Sequence, residues 1–445
     1  MIVRRTQGAA IRSTVSDNHS ILRIDSRFTY TPGMMEHDYR HLNPNFDMDA
    51  WLDAVDQLAP GNHSARTTPA DRPFVHTTGP SGEIVIRQWP QGTTEAEIAA
   101  RAEVLDAIHA AVGDAVPAID PIPSDANART ITVKDRLYTR SAYIQGVPLG
   151  RYGGYRAPDG RTINIPLPES AKAHNTIAEV AGIIARAHAA SEPFAAETTG
   201  LPVRTLAAFL DDVRKTWFEQ RKILGDRAAE QRDIRRWLRC GNRIIPTSSD
   251  LLRNEPELMS SRAVVNHGDL WPVNVLVGGR DDRGVTGLVG WSHMAAGSAV
   301  MDIAALTVRM QGWSAALTEA VIDAYANERR LLPEERRLIP AVASLDLVAQ
   351  LATLLKLAYL DEEMINHPAT SVLRSGMKTL LNSLETLTGI LAPDIEQTKR
   401  WVRRPYEESG AGSSRRSPAR SPRKAGDRGS EYDGRRPSKP RSKQR

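Results

Sequence analysis

The 445-residue sequence contains a single cysteine, Cys240, which excludes an intrachain disulfide and any cysteine-rich metal site. Such usage suits a reducing compartment. The N-terminal segment carries Arg4, Arg5 and Arg12 without the uninterrupted apolar stretch of a secretory signal. No later run reads as long enough to span a membrane, so a cytoplasmic protein with no membrane partner is expected. There is no internal repeat. Beyond Arg403 apolar residues almost vanish, and a segment of that composition cannot bury enough surface to fold.

Charge is present but uneven. From Ser409 to Arg445 twelve Lys or Arg stand against three acids, a charge of +9, while the remaining residues, with 46 Lys or Arg and 50 acids, carry −4. The basic balance therefore belongs to a tail, and the body is mildly acidic. Arg416-Ser417-Pro418 and Arg420-Ser421-Pro422 in that tail suit phosphate contacts along nucleic acid or another acidic surface, and their serines suit phosphorylation. The simpler alternative is a solubilising extension without a partner, since Tyr432 is the one ring available there for base stacking.

Patterning divides the chain into a poorly ordered leader (1–45), a strand-rich part (46–150), a mainly helical part (151–402) and a disordered Ser/Arg/Pro tail (403–445). Phe46 to Leu58 reads as a short amphipathic helix, Glu83 to Trp89 as a strand, Thr94 to Val112 as a helix, and Thr130 to Lys134 with Leu137 to Ile144 as a hairpin. Gly146-Val147-Pro148-Leu149-Gly150 looks like a linker. Helices follow at Ser170–Ala190, Arg204–Leu224, about Ala228–Leu238, Val300–Met310 and Ala315–Glu328, with two long runs between Pro333 and Leu391. One strand-like island, Ala263 to Trp291, interrupts them.

That island contains His267-Gly268-Asp269 and, five residues after the aspartate, Asn274. The chemistry that needs this spacing is phosphoryl transfer to a hydroxyl: one carboxylate orients the nucleophile and accepts its proton, and an amide oxygen a short loop away holds Mg²⁺ against a triphosphate. Asp269 and Asn274 supply the two groups, in a loop spanning residues 266–274.

The stretches HGDLWPVN, GLVGW and DIA resemble the catalytic loop, the following strand end and the next helix start of the aminoglycoside phosphotransferase family of small-molecule kinases. The resemblance runs from about Gly61 to Leu391. It implies an α+β, bilobal protein-kinase-like fold with a small strand-rich N-lobe, a larger mainly helical C-lobe, and ATP with Mg²⁺ in the cleft. It also implies residue roles. Asp269 is the base; His267 and Asp302 hold the loop; Asn274 binds metal; Arg87 meets the nucleotide phosphates; and Gly61 and Ser64 lie in the turn that covers them. His188 reads as a packed structural histidine. The implied acceptor is a hydroxyl of a small molecule, and an acidic body favours a cationic one such as an aminoglycoside or amino alcohol.

Two positions depart from the family pattern. Gly290 stands where the family has a metal-bridging aspartate, and Arg101, with Glu97 one turn earlier, stands where a helix acid should pair with the phosphate-binding cation. Neutralising the charge on the transferred group is most of the catalytic task. Two readings follow: an active kinase with a weakened metal site, and a pseudokinase that binds nucleotide or serves as a scaffold.

Overall fold

The computed structural model describes residues 10–16, 19–25, 48–60, 64–68, 74–79, 82–150, 155–156, 162–167, 171–196, 200–278, 284–367 and 370–392. Gly61, the acidic pair Asp281 and Asp282, and the whole basic tail lie outside them. Within the leader segment, β1 (Ala10–Ser16) pairs antiparallel with β2 (His19–Asp25).

The N-lobe is built on one antiparallel sheet. Its strands are β3 (Ser64–Thr68), β4 (Phe74–Gly79), β5 (Gly82–Gln88), β6 (Ile131–Val133) and β7 (Arg136–Ala142), in the spatial order β3-β4-β5-β7-β6. Alternation along β5 buries Ile84, Ile86 and Gln88 on one face, the period of two expected of a strand. Lys134 and Asp135 take positive φ in the two-residue turn between β6 and β7, which matches the twist of a tight hairpin. Helix α1 (Met48–Leu58) covers the sheet, setting Trp51 edge-on against Tyr138 at 5.2 Å between ring centres. The Arg140 guanidinium ties the end of that helix down by donating to the Leu58 carbonyl.

Helix α2 (Glu95–Val112) starts where its sequence says it should. Thr94 accepts from the Glu97 N–H while the Glu97 carboxylate accepts from the Thr94 N–H, a reciprocal cap. The helix buries Ile98, Ala102, Leu105 and Ile108, the face read from the spacing.

Residues 146–150 do more than link. Val147–Pro148 form β8, an edge strand on β13 (Val275–Val277), and the Leu149 and Gly150 N–H groups donate to the Val275 and Pro272 carbonyls. The connection between lobes is thus hydrogen-bonded to the segment after the catalytic loop. One short pair follows in the chain, β9 (Tyr155–Arg156) with β10 (Thr162–Ile163).

The C-lobe packs helices around one continuous apolar core. In order they are α3 (Ala171–Ala196), α4 (Leu206–Gly225), α5 (Arg232–Arg253), α6 (Pro256–Ser260), α7 (Val300–Arg309), α8 (Ala315–Glu328), α9 (Pro333–Tyr359), α10 (Glu362–Ile365) and α11 (Thr370–Leu391). Helix α5 runs well past the expected end at Leu238, through Pro246, because Ile244, Ile245 and Leu252 are buried along it. Cys240 sits in the same core, where burial pushes its thiol above the usual range.

Helix α9 is long and apolar enough to cross a membrane, contrary to the expectation from runs of sequence, but 78% of its most apolar window is buried inside the protein. It also carries Asp346, paired with Arg309 of α7. Here it is the core helix of the C-lobe.

Between α6 and α7 lies the catalytic island. Strand β12 (Val264–Asn266) pairs with β15 (Ala295–Gly297), which also pairs with β11 (Val203–Arg204); β13 pairs with β14 (Val285–Leu288). The loop joining β12 to β13 and the turn joining β14 to β15 therefore leave neighbouring strand ends, and they meet.

Candidate active site

The loop begins at His267, the residue after a fully buried strand. Gly268 follows with φ +79, and a Cβ there would collide with the carbonyl oxygen of His293. Only glycine meets both conditions, which gives the second position of the His-Gly-Asp sequence its reason.

Asp302, in the first turn of α7, holds this turn from below. Its Oδ2 accepts from the His267 N–H at 2.6 Å and its Oδ1 from the Gly268 N–H at 3.1 Å. The same carboxylate accepts from Nε2 of His188 at 3.1 Å. His188 Nδ1 in turn accepts the Tyr325 hydroxyl at 2.9 Å, and that hydroxyl accepts from Arg329, which donates to Glu192. His188 and Asp302 are essentially inaccessible to solvent, and no buried side-chain polar atom of this chain of contacts lacks a partner, the condition under which buried polar networks rigidify a fold. Burial alone would raise the Asp302 carboxyl, but the hydrogen bond from His188, with help from the Gly268 N–H, holds it below the ordinary carboxylate value.

His267 is fixed at both ring nitrogens. Nε2 donates to the Val289 carbonyl at 2.9 Å, and Nδ1 accepts from the Asp269 N–H at 3.2 Å. Burial keeps the imidazole below its usual pKa, in keeping with a neutral ring that positions the loop. Its face packs on Trp291, 4.5 Å between ring centres.

Asp269 is thereby presented at the mouth of the loop. Asn274 Nδ2 donates to the Asp269 carbonyl at 2.7 Å and to its Oδ2 at 3.0 Å. The amide nitrogen is committed to orienting the aspartate, so Oδ1 is the atom of Asn274 left to meet a cation.

Gly290 lies directly against that amide. It has φ +91, and a Cβ built on it would come within 2.8 to 2.9 Å of Cγ, Nδ2 and Oδ1 of Asn274. The space a metal-bridging carboxylate would enter is closed by Asn274 itself. Among the described residues no three His, Cys, Asp or Glu side chains gather as a metal cluster. Asn274 Oδ1 is an oxygen donor of the kind that would hold a hard cation, which would supply charge neutralisation there.

In the N-lobe, Arg87 near the end of β5 and Arg101 on α2 approach one indole. Their guanidinium carbons lie 5.0 and 5.4 Å from the ring centre of Trp89. Arg101 is buried and donates to the Glu97 carbonyl, and burial lowers its pKa. The Glu97 side chain belongs to the helix cap. Two guanidinium groups thus share one aromatic ring where the family pattern sets a helix acid beside the cation. Ser64 opens β3, on the far edge of the sheet from β6.

A family model described as the phosphotransferase enzyme family matches residues 70–339, more than half of the chain. The chain belongs to this family. Among curated protein sequences none matches it. Among solved structures it is similar to an aminoglycoside phosphotransferase from Alicyclobacillus acidocaldarius, at 14% identity and a TM-score of 0.51 over 78% of this chain and 96% of that one. It is also similar to a spectinomycin phosphotransferase in complex with ADP and spectinomycin (11% identity, TM-score 0.48, 77% and 99%) and to a microcompartment-associated aminopropanol kinase (14%, 0.46, 79% and 98%). The first of these likenesses shows the fold: an α+β, bilobal kinase-like architecture, as expected.

Two features of this phosphotransferase family member escaped the sequence reading. Arg309 and Asp346 form a buried two-point ion pair at 2.8 and 2.6 Å, with the guanidinium 5.3 Å from the ring centre of Trp271 in the catalytic loop. The signal was there: each is a lone charge inside an apolar helical run, and such charges are rarely buried unless paired. The second is Asn266, 3% exposed, whose side-chain oxygen and nitrogen both lack a partner among the described residues. It lines a cavity of about 30 Å³ behind the loop, with Gly268, Asp302, Arg309 and Asp346. That is room for one water-sized polar group.

Proposed function

We propose that this family member is an ATP-dependent kinase of a small hydroxyl compound. The observation that carries the reading is Asp269, held at the loop's mouth by Asn274 while His267, Asp302 and His188 fix the backbone beneath it. An acceptor hydroxyl beside Asp269 gives up its proton to the carboxylate as its oxygen bonds to the γ-phosphorus. The bond from that phosphorus to the β–γ bridging oxygen breaks, and ADP leaves with the electron pair. Arg87 faces the phosphates as a fixed cation that a deprotonation cannot remove. Mg²⁺, when bound at Asn274 Oδ1, neutralises charge on the phosphates. The acidic body supports a cationic acceptor of the aminoglycoside or amino alcohol kind, and the cytoplasm supports an ATP supply.

A second reading rests on Gly290. With its metal-bridging carboxylate gone and Arg101 in place of the helix acid, the chain would serve as a nucleotide-binding scaffold without turnover. Calorimetric titration with ATP, with and without Mg²⁺, alongside ATP turnover for wild type and Asp269→Asn separates the two. The kinase reading expects Mg²⁺-dependent binding in both proteins and a turnover loss of about 10²- to 10⁴-fold in the variant, the usual contribution of a positioned base. Turnover that survives in Asp269→Asn removes Asp269 from the chemistry. Binding without turnover in wild type selects the scaffold.

A further inference from the structure

Helix α5 places Arg232, Arg235, Arg236 and Arg239 at intervals of three and four residues, which puts all four on one face. The rotation of that face is fixed. Ile234, Trp237, Cys240 and Ile244 are buried on the opposite side, and Trp237 is anchored by donating to the Val348 carbonyl and by packing 4.5 Å from Trp217. The arginines consequently point toward α11, which presents Arg374 and Lys378 one turn apart. Between the two helices lies a groove of 1210 Å³ lined by these six cations and by two acids, Asp233 and Glu385.

Both acids are already saturated. Glu385 is clamped by Arg236 through two bonds at 3.0 and 2.7 Å and by Arg239 at 2.6 Å, and Asp233 accepts the Tyr359 hydroxyl at 2.9 Å and lies 3.7 Å from Arg236. That leaves Arg232, Arg235, Arg374 and Lys378 in excess. Arg232 and Lys378 are exposed, and neither pairs with a described residue. A surplus of four positive charges in one concavity, on a body whose sequence carries −4, is a local inversion of sign. Like charges three and four residues apart also destabilise a helix, so the stripe runs against folding.

We infer that this groove is a binding site for a small anion carrying two or more phosphate groups, separate from the nucleotide cleft. Five of its six cations are arginines, whose planar forks match phosphate oxygens two at a time. Its volume, 1210 Å³, exceeds the roughly 300 to 1,000 Å³ of most small-molecule sites, so such an anion fills part of it. Its lining offers no free aromatic face for stacking bases, which single-stranded nucleic acid requires; the nearby Tyr359 ring is covered by Arg374 at 5.3 Å.

The test is calorimetric titration of the full chain with inorganic tripolyphosphate at about 150 mM salt, where weak surface attraction is screened. A paired variant, Arg232→Glu with Lys378→Glu, changes two exposed side chains that hold nothing in the fold and relieves repulsion along the stripe, so it should melt no lower than wild type. The inference expects tripolyphosphate binding in wild type, a loss of roughly tenfold or more in the paired variant, ATP affinity unchanged by that variant, and tripolyphosphate binding that survives Arg87→Ala in the cleft. A single Arg374→Gln substitution should give a smaller loss in the same direction. Absence of binding in wild type, equal binding in the paired variant, or loss on Arg87→Ala alone would overturn it. So would tighter binding of duplex RNA than of tripolyphosphate, with a steep salt dependence, since that assigns the groove to nucleic acid.

Discussion

The catalytic loop has two flanks of opposite character. On the side of α3, α7 and α8, Asp302 takes three hydrogen bonds, and His188, Tyr325, Arg329 and Glu192 continue the chain of contacts to the surface. On the side of β14, a glycine with positive φ faces an asparagine, and the carboxylate that would bridge metal and phosphate has no room. The flank that shapes the loop is closely hydrogen-bonded, while position 290 brings no side chain to the other. The two flanks are therefore unequal in what they can contribute: one positions backbone, and the other offers no carboxylate at position 290.

Breaking the strong flank should have the largest effect. Asp302→Ala leaves two backbone N–H groups and the His188 ring without their buried acceptor, and removing one partner of such a set costs about 3 to 5 kcal/mol. An unfolding free energy from urea titration lower by that amount is expected; a loss under about 1 kcal/mol would show that the loop stands without its brace. The same carboxylate adds an acid limit. Its folded pKa lies below its unfolded one, so its stabilisation is present above about pH 4 and is lost as pH falls through the lower folded value. Glu385, held down by Arg236, acts in the same direction. Wild type should lose stability below about pH 4, and Asp302→Asn should show a shallower acid limb.

Rebuilding the weak flank by substitution should fail, and by a smaller margin. Gly290→Asp restores the missing carboxylate in sequence only, because the backbone is left-handed there and the new Cβ overlaps the Asn274 amide. Strain of this kind costs on the order of 1 to 3 kcal/mol. The expected outcome is a lower melting temperature with no gain in Mg²⁺-dependent ATP affinity. A gain would mean that Asn274 and the turn refit around a second ligand, and the two flanks would then be less independent than their contacts imply.

Much of the strong flank and of the N-lobe was legible in the sequence because the signals are local. The His-Gly-Asp turn, the helix start at Asp302, the cap at Thr94 and the hairpin around Lys134–Asp135 each follow from a few adjacent residues. What was not legible depends on distant packing. Gly241, Pro246 and the serines after it look like the end of a helix, yet the burial of Ile244, Ile245 and Leu252 carries α5 through them, tertiary contact overriding local preference. Residues 146–150 look like a linker because nothing local reveals that β13 lies alongside. The absence of an aspartate at position 290 could be read directly; the reason it cannot simply be replaced could not, since it depends on φ and on where Asn274 packs.

Asn274 stands between the flanks, and the smallest effect should decide to which it belongs. Its amide makes two hydrogen bonds to Asp269 in a partly exposed place, so Asn274→Ala should cost about 1 kcal/mol of stability. That loss is expected whether or not the residue ever meets a cation. The separating measurement is a Mg²⁺ titration of ATP affinity. If Oδ1 is a metal ligand, the variant should require more Mg²⁺ for the same affinity while its metal-free ATP binding stays at the wild-type level. If Asn274 serves only to aim Asp269, the Mg²⁺ curve should not move, and any defect should appear in turnover alone. With Gly290 offering no ligand, an unmoved curve would leave the metal held by the phosphates and solvent, and the weak flank would contribute no metal-binding group of its own.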